Sequence, residues 1–117
     1  MSEGRGSTRV VLRALRDAGG TRSLEAARRE DGGIVIEGQD LGPGVEGAFG
    51  AGLTEYEWVW AIEPDAVPAV VEALGGHKGD DALALLRSWS VDHGGADPGS
   101  HLKDAGVPIG FWNRIGD

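Results

Sequence analysis

Carboxylates carry most of the chemistry this sequence could offer. Glu37, Gln39 and Asp40 stand together just before a glycine-rich stretch, residues 42–54. Glu46 lies inside that stretch, and Glu55 and Glu57 open the run that follows it. On a strand, Glu37 and Gln39 share a face, because side chains alternate with a period of two. If that strand pairs with the run starting at Glu55, then Glu55 or Glu57 comes close to Glu37. Carboxylates held near each other raise at least one pKa, as general acid–base work requires. Glu37 and Asp40 would then be base and acid of a small carboxylate-dependent enzyme, given a concave pocket between the 42–54 loop and the C-terminal segment. The plainer account has Gln39 and Asp40 hydrogen-bonding loop amides, as such residues do at strand ends. The acids then form a surface for a partner instead of a catalytic site.

Other chemistries find less support. The glycine-rich stretch has no Lys or Ser/Thr at Walker-type spacing, so it is not a P-loop. Cysteine is absent, which removes disulfides, thiolate nucleophiles and thiolate metal ligands. Ser88, Ser90 and Ser100 lie outside any Gly-x-Ser-x-Gly elbow. Ser90-Val-Asp-His93 groups the residue types of a triad, but triads are built in space, not along the chain. Asp97 and His101 are four apart and could share a helix face near His93. A zinc site needs three or four converging ligands, and no tight ligand motif is present. We therefore expect neither a metal nor another cofactor. Stacking on nucleic acid needs aromatics among basic residues, whereas Tyr56, Trp58 and Trp60 sit among glutamates. Trp112, beside Phe111 and close to Arg114, is the tryptophan best placed to stay partly exposed and anchor a partner.

The elements that must position these residues follow from periodicity. Tyr56, Trp58, Trp60 and Ile62 fall on alternate positions, which makes residues 55–63 a strand with a large apolar face. Ile34-Val-Ile36 opens a second strand, and Asp31-Gly32-Gly33 before it is a hairpin signal. Residues 22–30 supply the strand before that turn. Residues 9–17 are ambiguous between helix and strand: propensity favours a helix, but the similar runs that follow make them the first of three antiparallel strands. Val45 to Phe49 suits one helical turn that brings Phe49 to the sheet. Val67, Val70, Val71 and Leu74 recur at helical spacing over residues 65–74, with Pro68 in the first turn. A second helix spans about 80–91, and a short third, capped by Asp97 or Ser100, ends at Gly106. Residues 107–115 are a final extended segment. Strands first and helices after predict an α+β fold: an antiparallel meander of about four strands, with two to three helices on one face. Residues 1–7 read as a flexible tail, and 8–117 as a single domain.

Net charge is −8 over 117 residues, unevenly spread: residues 1–30 carry +3 and residues 31–117 carry −11. Such a surface disfavours nucleic acid and suits either solubility or a basic protein partner. No apolar run approaches the roughly 20 residues of a membrane span, and no signal-peptide core is present. The expectation is a cytoplasmic protein without membrane contact; nothing in the sequence specifies an oligomeric state.

Ile34-Val-Ile-Glu-Gly-Gln-Asp-Leu-Gly42, Glu55-Tyr-Glu-Trp58 before a proline-started helix, and the ending from Gly106 together resemble a group of small bacterial proteins of actinobacterial type. The resemblance covers roughly residues 22–117 and implies one compact α+β domain; it brings no activity, cofactor or site residue. A general likeness to toxin-immunity proteins rests on size and acidity alone. The reading that follows is a non-enzymatic interaction module, with an immunity or inhibitor role as one form. It meets a basic partner through Glu37, Gln39, Asp40, Glu46, Glu55, Glu57 and Trp112.

Overall fold

A computed structural model describes residues 8–116. The expected tail, residues 1–7, lies outside them. The architecture is α+β: one antiparallel sheet in the order β1-β2-β3-β4-β5, each strand hydrogen-bonded to its sequence neighbour. The strands are β1 (Arg9–Asp17), β2 (Gly20–Arg28), β3 (Ile34–Leu41), β4 (Glu55–Ile62) and β5 (Gly110–Gly116). The helices are α1 (Pro43–Phe49), α2 (Val67–Ala73), α3 (Ala82–Asp92) and α4 (Gly99–Asp104), with a 3-10 turn, Pro64–Ala66, leading into α2.

The sheet therefore has one strand more than about four. The closing segment pairs along β4, from Glu55↔Gly116 to Ala61↔Gly110. At the other edge, the helix-friendly residues of β1 are strand, because pairing with β2 overrides a weak local propensity. The register of β1 shifts between Val11 and Arg13. A bulge of this kind re-aims side chains, and Leu12, the inserted residue, is buried in the core.

The β2–β3 turn forms as its residues dictate. Gly32 has a positive φ of 92°, the Arg29 amide donates to the Gly33 carbonyl at 2.8 Å, and the Asp31 carboxylate accepts from the Gly33 amide at 2.8 Å. Alternation then sorts the sheet into two faces. Leu24, Ala26, Ile34, Ile36, Trp58, Trp60 and Ile62 turn to one side and join one buried cluster with Val70, Val71, Leu83, Leu86 and Leu102 from the helices. Tyr56, on the same side, is partly buried against that cluster. On α3, Leu83, Leu86 and Ser90 form the buried stripe expected from their spacing; Ser90 satisfies its hydroxyl by donating to the Ala96 carbonyl at 2.8 Å. Asp81 caps α3, its carboxylate accepting from the Leu83 amide. Among the described residues, no helix is long and apolar enough to cross a membrane.

Candidate functional site

The helices cover one face of the sheet. Across the other, register aligns Val11, Glu25, Glu37, Val59 and Trp112, one from each strand. The next row aligns Ala14, Ser23, Gln39, Glu57 and Arg114. Together they floor a depression of about 460 Å³ bordered by Trp112, Val59, Val11, Glu25, Glu37, Gln39 and Glu57. Four residues singled out from the sequence, Glu37, Gln39, Glu57 and Trp112, thus meet at one surface. Trp112 is 53% exposed, against 6% for Trp58 and 7% for Trp60. A large apolar side chain left in solvent beside a depression is a common mark of a contact surface.

The carboxylates of this face differ in what holds them. Glu57 accepts from Arg114 through Nε at 3.1 Å and Nη2 at 2.8 Å, and Glu55 lies 3.4 Å from the same guanidinium. Gln39 Nε2 donates toward both glutamates, at 3.4 Å to Glu55 and 3.3 Å to Glu57. The hydrogen bond that Arg114 donates to Glu57, together with the two negative charges, raises the Arg114 pKa above its ordinary value. Glu25 is ion-paired to Arg9. Glu37 has no hydrogen-bond or ion partner among the described residues, and it stands beside Glu25 and Val59 in the sheet register. Among the described residues, Glu37 is therefore the uncompensated charge at the centre of the depression.

Two expected members belong elsewhere. Asp40 is an odd number of residues from Glu37, so alternation sends it to the helix-covered side, paired in register with Arg22 and Tyr56. The sheet itself separates Glu37 from Asp40, and these two cannot serve one substrate as base and acid. Glu46 is turned into its own loop, where its carboxylate accepts from the Gly52 amide at 2.8 Å. Glu46 is thus structural, and Glu37 and Asp40 border different cavities instead of one pocket between residues 42–54 and the last strand.

Asp97 has a role that local spacing did not reveal. One of its oxygens accepts from Trp58 Nε1 at 2.7 Å and from Trp60 Nε1 at 2.9 Å, while the other accepts from the Gly99 amide at 2.8 Å. A buried indole N–H needs an acceptor, and one carboxylate serves both. The two tryptophans also require missing side chains: a Cβ on Gly38 would lie 2.1 Å from Trp58 Cζ2, and one on Gly99 2.1 Å from Trp60 Cε2. His101 stacks on Trp89, with centroids 5.0 Å apart, and His93 stacks on the same ring at 4.1 Å. Asp97 and His101 are thus held by separate aromatic partners, and among the described residues no group of three acidic, histidine or cysteine side chains could hold a metal. The signal for Asp97 was the pair of alternate tryptophans, whose N–H groups demanded an acceptor from somewhere. No protein family, curated protein or solved structure matches the chain.

Proposed function

We propose that the protein is a non-enzymatic interaction module that binds a basic polypeptide on the uncovered face of its sheet. The single observation behind this reading is the setting of Glu37: a carboxylate without a partner among the described residues, at the centre of a depression of about 460 Å³, with exposed Trp112 on the rim. A partner lysine or arginine could pair with Glu37 while its alkyl stem lies on Val11 and Val59. Trp112 then offers its ring face to the cation or to an apolar neighbour. A net charge of −8 would speed such an encounter and make it salt-sensitive. An inhibitor or immunity-type role, occluding the working surface of a basic protein, is one concrete form. Arg114 tempers the acidity contributed by Glu55 and Glu57, so Glu37 and Trp112 carry more of this proposal than the acidic edge does.

The test compares capture of a basic partner by the wild-type protein, Glu37→Lys, Trp112→Ala and a control, Glu63→Lys, at low and high salt. Capture should fall at high salt, be lost in Glu37→Lys, weaken in Trp112→Ala and survive in Glu63→Lys. Equal capture by all four proteins would sink the reading.

A further inference from the structure

Asp40 closes the floor of a second, smaller cavity of about 230 Å³ at the far end of β1–β3, roofed by α1 and lined by Arg13, Arg22, Gly44, Val45 and Phe49. Two polar atoms here are buried without a hydrogen-bond partner among the described residues: Arg13 Nε and Asp40 Oδ1. Such atoms are uncommon in folded proteins and call for an explanation. Arg13 is anchored at its other end, where Nη1 donates to the Gly95 carbonyl at 3.3 Å, so its Nε cannot swing freely to water. Arg22 is the exposed member, at the mouth. Neither arginine forms an ion pair with Asp40 among the described residues, although both charges act on it.

We infer that this cavity is a binding site for a small oxyanion, such as phosphate or sulfate, whose affinity is coupled to the protonation of Asp40. Two guanidinium groups face the Asp40 carboxylate, and the Asp17 carboxylate, held by the Gly19 amide beside Arg22, offsets part of their charge, so the site favours an anion most strongly when Asp40 is neutral. Arg13 Nε and the Arg22 guanidinium are donors only, and an oxyanion supplies acceptors to both. A protonated Asp40 then donates its O–H to the same anion and removes its own repulsive charge. The charged and titratable groups around the cavity are Arg13 and Asp17 on β1, Arg22 on β2, the Tyr56 phenol on β4, and Glu46 on α1. The Asp17 carboxylate accepts from the Gly19 amide beside Arg22, and that of Glu46 is turned away to Gly52. Burial raises the Asp40 pKa over the opposing pull of the arginines, which brings its protonation closer to neutral pH. A cavity of about 230 Å³ accommodates an ion of this size and is small for a larger metabolite. The site lies on the opposite face from Glu37 and stands or falls independently of the partner surface.

Sulfate is the sharper probe, because, unlike phosphate, it takes up no proton of its own over the range in which a carboxyl group titrates above its ordinary value. Calorimetry of sulfate binding to the full chain should show affinity rising as pH falls, approaching about tenfold per pH unit where one proton is taken up for each anion bound. Asp40→Asn should bind sulfate with a flat pH profile and at pH 8 at least as tightly as wild type. Arg22→Gln, at an exposed position, should weaken binding by about tenfold or more. Arg16→Gln, on the other face, should leave it unchanged. Three outcomes would each overturn the inference. The first is no saturable binding of sulfate or phosphate, the second an unaltered pH profile in Asp40→Asn, and the third equal losses in Arg16→Gln and Arg22→Gln, which would mark diffuse attraction to an arginine-rich end. Thermal melts of each variant confirm that a loss of binding is not a loss of fold.

Discussion

The two faces of the sheet put the same side-chain types to opposite uses. On the helix-covered face, Trp58 and Trp60 are buried and both donate to the Asp97 carboxylate. On the open face, Trp112 stands in solvent and Glu37 has no partner among the described residues. Burial explains the difference. A polar atom removed from water must be paired within the protein, so the polar groups around the two buried tryptophans are committed. Arg13 Nε and Asp40 Oδ1, at the far end of the same face, are the exceptions among the described residues. Water satisfies the open face, which leaves a tryptophan and a carboxylate available to another molecule. Stability should therefore reside around the buried tryptophans and partner recognition on the open face.

Asp97→Ala should do the most damage. It strands two indole N–H groups at once and removes the acceptor that starts α4, for a loss of about 3 kcal/mol or more in urea denaturation, each unsatisfied buried group costing about 1–3 kcal/mol. A loss no larger than that of an exposed substitution would erase the contrast between the faces. Gly99→Ala comes next: its Cβ would meet Trp60 at 2.1 Å, so the ring must move off Asp97. We expect about 1–3 kcal/mol from such overpacking, together with a changed near-ultraviolet signal from the tryptophans. Gly47→Ala serves as its counterpart, because nothing lies within 4 Å of the added Cβ. Within α1 it should stabilise by about 0.5–1 kcal/mol.

A pH series separates Asp40 from the other acids. Its pKa is raised in the folded protein, chiefly by burial, above the unfolded value of 3.8. The folded state then holds the proton more tightly than the unfolded state. Asp40 therefore imposes no penalty below the unfolded pKa, and stability falls as pH rises through the folded pKa. Asp40→Asn should be more stable than wild type at neutral pH, and this advantage should vanish in acid; a pH-independent difference would contradict the assigned burial. The smallest stability effects belong to the open face. Glu37→Ala and Trp112→Ala should each change the melting free energy by no more than about 0.5 kcal/mol, while partner capture drops. If Trp112→Ala instead unfolds the protein, β5 is a core strand and the two faces are not divided as described.

Part of the fold was legible because it depends on local rules. Alternation through Tyr56, Trp58, Trp60 and Ile62 announced a strand and its buried side, and Asp31-Gly32-Gly33 announced the turn before β3. The same rule already set Glu37 apart from Asp40, since residues an odd number apart on a regular strand face opposite ways. Reading them as a catalytic pair set nearness in the chain above that parity. Strand β1 was ambiguous because residues 9–17 suit a helix alone; only pairing with β2 and a bulge at Leu12 make them an edge strand. Strand β5 was visible as extended chain, but its place depended on β4 being available as a neighbour.

The candidate site divides along the same line. By itself, the sequence determined that Glu37 and Gln39 share a face, that Trp58 and Trp60 lie on one large apolar face of a strand, and that no thiol chemistry is possible. Only the tertiary structure decided what meets them. Arg114 reaches Glu57 across 57 residues, and Asp97 reaches Trp58 across 39, joining elements that no local periodicity links. Arg13 and Arg22 flank Asp40 for the same reason: the meander stacks three strand ends beneath α1. Side-chain alternation is a property of one strand, whereas a charge becomes free or neutralised only when its neighbours across the sheet are fixed.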